Sequence, residues 1–254
     1  MSKRVLIAGE SWVTHSIHTK GFDSFTTTEY NEGVRWLKAA LEGGGWDVTF
    51  LPNHLAARDF PQTREALATY DVVMLSDIGA NTLLLHPDTF VRSVPLPNRL
   101  VSLRDYVKNG GGLVMIGGYL TFQGIEAKGK YAGSPVEEAL PVMLHHHDDR
   151  VESPQGVVPH VGDNPTHPIL AGVSGEWPAL LGYNEVAAKP DAEVLVRVGG
   201  DPLVVAGTYG EGRSVAFTSD CGPHWAPPPF VDWAGYAPLW NGIANWVAKN
   251  EAGK

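Results

Sequence analysis

The chain has 254 residues, 43% of them hydrophobic and 19% charged, enough apolar material for a packed core and too much for a disordered chain. Its 19 basic and 28 acidic residues leave a net charge of −9, and no run of Lys or Arg interrupts that balance, so a nucleic-acid partner is not expected. A single cysteine, Cys221, cannot build a disulfide framework or a cysteine-rich zinc site.

The apolar run before Gly9 and Glu10 is too short for a signal-peptide core, and no stretch is long and apolar enough to cross a membrane. A cytoplasmic protein without a membrane partner is expected, as a single domain over 1–254. Residues 4–8 read as a buried strand ending in a Gly9-Glu10-Ser11 turn, followed by a loop with Trp12, His15 and His18. Residues 30–42 place Val34, Leu37, Ala40 and Leu41 at helical spacing, and Gly43, Gly44 and Gly45 stop that helix. Strands follow at 47–51 and 71–75, with a short helix near 63–69 between them. A helix at 100–108 ends in Asn109-Gly110-Gly111-Gly112 and leads to a strand at 113–116. Strand and helix alternating at this spacing imply crossover connections, hence a parallel sheet with helices on both faces.

Between Gly117 and Gly182 glycine, proline and histidine are dense and periodicity is weak, which predicts long loops with short strands. Three strands follow, at 193–198, 203–209 and 213–218, the last two joined as a hairpin through Gly210-Glu211. A final amphipathic helix covers 239–249, with Leu239, Ile243, Trp246 and Val247 on one side.

The order of these segments resembles the class I glutamine amidotransferase-like superfamily, and within it the "putative glutamine amidotransferase" branch, with trehalose-utilisation proteins more distantly similar. The resemblance is carried by the first strand and its His-bearing loop, by Tyr70-Asp71-Val72-Val73, and by the stretch from Asn109 to Gly118. Thr166-His167-Pro168-Ile169, the segment from Tyr209 to Phe217 and the closing helix extend it over nearly the whole chain. It implies a flavodoxin-like three-layer sandwich, mainly parallel, with a late antiparallel extension. It also implies that a glutamine-hydrolysing member carries a cysteine on the turn after the strand ending at Ile116. Tyr119 occupies that register here, and a phenol near its usual pKa of about 10 is a poor acyl acceptor.

Ligands of open parallel sheets bind beyond the carboxyl ends of the strands. That selects Glu10, Trp12, His15 and His18 after the first strand, Asp77 after the third, Gly118 and Tyr119 after the fourth, and Asp220, His224 and Trp225 after the last. The catalytic candidates are His224, with Asp220 to orient its imidazole, and Tyr119; the others are ligand-binding candidates. Tryptophan faces beside carboxylates suit a carbohydrate-like or polyol-like ligand, the small-molecule partner expected.

No cofactor is expected. A divalent metal on His15 and His18, which share a face if that segment is helical, is the lesser alternative. The His145-His146-His147-Asp148-Asp149 tract reads as surface or subunit contact, His167 as a turn cap, and Cys221 as a packed thiol. The tryptophan-rich C-terminus and Pro227-Pro228-Pro229 are candidate surfaces for a homo-oligomer. An enzyme without the cysteine nucleophile stands first, a non-catalytic binding or regulatory domain second, and a true glutamine amidotransferase third.

Overall fold

Short runs that are apolar on successive residues have no face to give to water, so they must lie in a sheet covered on both sides. The structure is a computed structural model and describes residues 3–249. Its first half runs β1 (Lys3–Gly9), β2 (Ser11–Lys20), β3 (Asp23–Glu32), α1 (Arg35–Gly43), β4 (Trp46–Leu51), α2 (Asn53–Asp59) and α3 (Arg64–Leu67). It continues through β5 (Val72–Ser76), α4 (Ala80–Leu84), α5 (Pro87–Arg92), α6 (Arg99–Lys108) and β6 (Gly112–Ile116). The second half supplies α7 (Pro135–Ala139), β7 (Val142–Leu144), β8 (Arg150–Val157), β9 (His160–Val161), β10 (Leu180–Asn184) and β11 (Val186–Ala188). Last come β12 (Glu193–Val198), β13 (Asp201–Tyr209), β14 (Gly212–Phe217), α8 (Pro228–Val231) and α9 (Tyr236–Val247).

Eight strands form one sheet in the order β4-β1-β5-β6-β14-β13-β12-β9. From β4 to β14 the pairing is parallel; β13, β12 and β9 add on antiparallel. This is the expected α/β sandwich with its late antiparallel extension. Alternation along β1 divides the core between two layers. Val5 and Ile7 pack with Leu37 and Leu41 of α1 and Leu239, Trp240 and Ile243 of α9. Leu6 and Ala8 pack on the other face with Ala56 of α2 and Leu100, Leu103 and Val107 of α6. Each such aliphatic side chain contributes about 1.5–3 kcal/mol by leaving water.

Two expectations need correction. The helix predicted over 30–42 begins only at Arg35, because residues 30–32 belong to β3. The stretch after Glu10 is not a loop: β2 and β3 pair antiparallel over their full ten residues each, through a two-residue turn at Gly21 and Phe22. Gly21 has φ +65°, the left-handed residue that a type II′ hairpin turn requires at its first central position. At the other end of the chain, Trp240 is fully buried and Phe230 and Val231 of α8 lie in the core, so the apolar C-terminus is used inside the protein.

The packing of α2, α4 and α6 depends on Arg99, which is 2% exposed. Its guanidinium donates to the carbonyls of Ala57 at 2.9 Å, Ala56 and Thr82 at 3.3 Å, Phe60 at 3.4 Å, and Leu83. These carbonyls lie at the C-terminal ends of α2 and α4; Ala56 O also accepts from the Phe60 amide at 3.2 Å, and the others are the orphan carbonyls that a helix end leaves. Arg99→Met leaves the carbonyls of Ala57, Phe60, Thr82 and Leu83 without this donor and is expected to lower stability by about 3 kcal/mol, read as a reduced urea midpoint with an unchanged slope.

Candidate active site

Where β1 and β5 end, the backbone turns sharply. Gly9 takes φ +113°, Glu10 φ +48° and Asp77 φ +45°. A non-glycine residue held there costs of order 1 kcal/mol or more, and two of them side by side need a reason. The turns aim both carboxyl groups into one hollow of about 390 Å3, lined by Glu10, Trp12, Asp77, Tyr119, Asp220, Pro223 and His224. Its position beyond β1, β5, β6 and β14 is the expected one.

Glu10 and Asp220 are 3% and 6% exposed, and Asp77 is half-buried. The Ser76 hydroxyl donates to Glu10 Oε2 at 2.5 Å and lies 3.6 Å from Cys221 Sγ. Ligand atoms of Glu10, Asp220 and Cys221 fall within 4.8 Å of one another, the one group of three such donors among the described residues that could hold a metal. Its chemistry resists that: burial holds the Cys221 thiol and the Asp220 carboxyl well above their usual pKa values, which favours their protonated, non-ligating forms. Burial, with the Asp77 charge second, lifts Glu10 to about 7. Carboxyl groups this close cannot all ionise in a low-dielectric site, so protons are shared among them near neutrality.

The opposite wall is aromatic. Tyr119 and His224 meet edge to face, nearly perpendicular, with ring centroids 4.5 Å apart. The Tyr119 hydroxyl donates to Glu152 at 3.1 Å, and burial with that bond holds its pKa up. Tyr119 therefore offers the hollow a ring, not a free phenolate. His224 stands exposed at the mouth, with its pKa lowered by desolvation, so it is neutral at pH 7.

Several sequence-based placements change. His224 Nδ1 lies 4.0 Å from Asp220 Oδ2, beyond hydrogen-bond reach, and Asp220 instead accepts from the Gly222 amide at 3.1 Å. Trp225 is 1% exposed; its indole donates to Glu152 at 3.0 Å behind Tyr119 and does not line the hollow. Gly118 backs Asp77 and donates to Asn184 Oδ1 at 3.0 Å. His15 and His18 lie on β2, three residues apart on a strand and so on opposite faces. They cannot share a metal, and neither reaches the hollow: His15 bonds Thr28 at 3.0 Å and His18 stacks on Phe25. Of the tryptophans at this edge only Trp12 faces the ligand space; Trp233 and Trp240 pack in or against the core.

Other placements hold. His167 caps the turn at Pro168–Leu170 by accepting from the Ile169 amide. His145 and His147 lie side by side, centroids 4.9 Å apart, away from the hollow. Cys221 is fully buried.

Sequence reasoning missed Asp149, read as part of a histidine tract, and Asn184. Asp149 accepts from the amides of Gln123 and Gly124 and from Asn184 Nδ2, and Asn184 fixes Gly118, so the pair holds both ends of the Tyr119 loop. Pro223, which lines the hollow, was missed as well. A second hollow of about 410 Å3 at the other edge of the sheet is lined by Arg64, Glu65, Asp71 and the 109–111 turn. Its charged groups are already engaged, Arg64 with Glu65 and Asp71 with the Arg4 amide.

Residues 4–249 match the model of a family described as "Putative glutamine amidotransferase". The chain belongs to this family. Two cytoplasmic proteins of Salmonella typhimurium, STM3548 and STM1381, are 46% and 48% identical to it. Each superposes with a TM-score of 0.92, covering 96% of this chain and 98% and 99% of theirs. A ThuA-like protein from Parabacteroides merdae shares the fold at TM-score 0.60 and 16% identity, over 100% of this chain and 92% of its own. No curated protein matches the chain. No helix among the described residues is long and apolar enough to cross a membrane. Membership in an amidotransferase-like family does not restore the sulfur: Tyr119 stands after β6, and the only thiol is sealed behind Ser76.

The electrostatics of Glu10 predict a pH signature. Below about 4.5 both folded and unfolded chains hold the proton; from there to about 7 only the folded chain does. The stability this group contributes is therefore full below pH 4.5 and lost as pH rises to about 7. Glu10→Gln is expected to match the native protein near pH 4 and exceed its unfolding free energy by about 2 kcal/mol at pH 8, read by denaturant titration at both values.

Proposed function

We propose that this family member is an enzyme acting on a small, neutral, polyhydroxylated molecule of sugar or polyol type by acid–base chemistry. What carries the reading is one arrangement: three carboxyl groups, two on left-handed backbone, turned into a single hollow lined also by an indole and a phenol ring. Among the described residues no Lys or Arg lines that hollow, so a phosphate or carboxylate ligand would meet acidic groups and no cation there. Hydroxyl groups can donate to Asp77 and Asp220, while the flat face of Trp12 packs on C–H groups. Glu10, poised near neutrality, gives or takes the proton at the reacting oxygen or carbon, with Asp220 as the partner that shares it. His224, neutral at the mouth, accepts a proton from water or from a ligand hydroxyl. The work takes place in the cytoplasm, a reading supported by the two Salmonella relatives, which are cytoplasmic proteins.

One observation favours a second reading, binding without turnover. The 4.0 Å gap between His224 and Asp220 leaves the imidazole without an orienting hydrogen bond. Glutamine hydrolysis has no support of this kind, since Cys221 is buried and held as a thiol.

A thermal-shift screen over polyols, aldoses, ketoses and amino acids separates these readings. A neutral polyol or sugar at 100-fold its Kd is expected to add about 2.7 kcal/mol, and Trp12→Ala and Asp77→Asn to abolish the shift. NMR of the binder in D2O then asks for turnover: exchange or conversion that falls about 100-fold or more in Glu10→Gln and Asp220→Asn identifies the enzyme. Binding with no change in the ligand leaves the binding domain. Cys221→Ala is expected to retain the native rate within a few-fold, and ammonia release from glutamine that depends on this thiol would overturn the assignment.

A further inference from the structure

We propose that the β2–β3 hairpin is an assembly arm that docks on the α4–α5 segment of a second copy of this chain, reciprocally, about a two-fold axis. Every residue from 12 to 32 is exposed, and β2 and β3 pair only with each other. A lone two-stranded hairpin is marginal in water, so twenty residues in register need a surface to lie on. Only the root of the arm is tied down. Asn53 of α2 donates through its amide to Ser11 Oγ at 2.8 Å and through its side chain to Ser11 O at 2.6 Å, and Tyr30 meets His54 edge-on.

Alternation sorts the arm into two faces. One carries Val13, His15, Ile17 and Thr19 against Tyr30, Thr28, Thr26 and Ser24, a β-branched surface without a formal charge. The other carries Trp12 at the pocket and, towards the tip, His18 against Phe25. Ile17 is 77% exposed and Phe22 at the tip fully so. The same chain leaves a second apolar patch open at Leu85, Phe90, Val91 and Val94, with Phe90 and Val91 72% and 76% exposed. Both patches border α2, which contacts β2 on one side and α4 on the other.

Charge and area select the occupant. Lys20 stands opposite Asp23 on the arm, Glu29 and Glu32 stand opposite Thr14 and Ser11 nearer its root, and Arg92 pairs with Asp88 at 2.6 Å on α5, so the apolar stretch around Ile17 and the patch around Val91 carry no unbalanced charge. These two stretches offer nothing to an anionic or cationic partner, and two copies meeting there bring no like charges together at the contact although each chain has a net charge of −9. An arm roughly 33 Å long and about 10 Å wide offers about 300 Å2 per face. Two arms laid face to face would bury only that much per chain, well short of the ~800 Å2 of a standard interface. Reciprocal docking buries an arm and a patch on each chain and approaches that figure, and the isologous geometry closes without leaving an edge free.

Sedimentation velocity of the full chain at tens of micromolar tests this. The expected mass is twice the 27.4 kDa of one chain. Ile17→Lys on the arm and Val91→Asp on the patch should each give a monomer with native far-UV circular dichroism. Mixed in equal amounts, the two variants should dimerise again, because one arm–patch contact is then native and the other sets Lys against Asp. A monomeric native chain, an oligomer that survives either substitution, or a mixture that stays monomeric overturns the proposal.

Discussion

A carboxyl group held out of water at the end of β1 is the constraint on which the rest of this edge depends. Glu10 sits between the Ser76 hydroxyl, the Cys221 thiol and Asp220, and the backbone must enter the left-handed region to put it there. Nothing in the core needs that carboxyl. A hydroxyl bond at 2.5 Å returns part of the desolvation cost, and shared protons return more, but an apolar residue would pack more cheaply. Stability is given up at a point where five strands and two core layers supply a surplus of it, which is how a rigid scaffold sustains a strained site.

The same turn settles two other features. Because Glu10 sends the chain outward, Ser11 starts β2 at the rim and Trp12, one residue on, closes one side of the hollow. The Gly33 amide then returns to Glu10 O at 3.0 Å, so the root of the arm and the pocket carboxyl share one hydrogen-bonded loop. A change in how the arm is seated is therefore felt first at Trp12, the aromatic face of the ligand space. Across the hollow, Asp149 and Asn184 do for the Tyr119 loop what Asn53 does for the arm, each through a side chain replacing backbone partners that a loop lacks.

The parallel sheet was legible in the sequence because its strands are apolar on both faces and its crossover helices repeat at 3.6 residues; β1, β4, β5, β6 and β14 fall within a residue or two of expectation. The pocket carboxyls were legible for a related reason, since ligand sites of open parallel sheets sit where such strands end. The arm was not. Its apolar residues alternate with Thr, Ser and His and bury nothing within the chain, so burial, the force that makes a strand readable, leaves no trace in the pattern. The usable signal was local: Val13, Ile17, Thr26 and Thr28 at strand spacing around Gly21. The Asp220–His224 bond failed for a different reason. Four residues apart describes a helix turn, and this segment instead bends so that Asp220 caps the Gly222 amide, a choice between backbone and imidazole that spacing alone does not make.

Losing the sulfur after β6 changes what kind of chemistry the fold can host. A thiolate attacks a carbonyl and needs an oxyanion pocket and a cation nearby; a cluster of carboxyl groups makes the local potential negative and disfavours both the thiolate and the oxyanion. Burial first, and then the Glu10 and Asp220 charges, raise the Cys221 thiol, just as burial and then the Glu10 and Asp77 charges raise Asp220. The tyrosine at the elbow register and the acids around it are thus one coherent change: with Tyr119 turned to Glu152 and the thiol sealed behind Ser76, the charge that would have poisoned nucleophilic attack becomes a proton store. The neutral, hydroxyl-rich ligand proposed above is of the class that such a store would both hold and act upon.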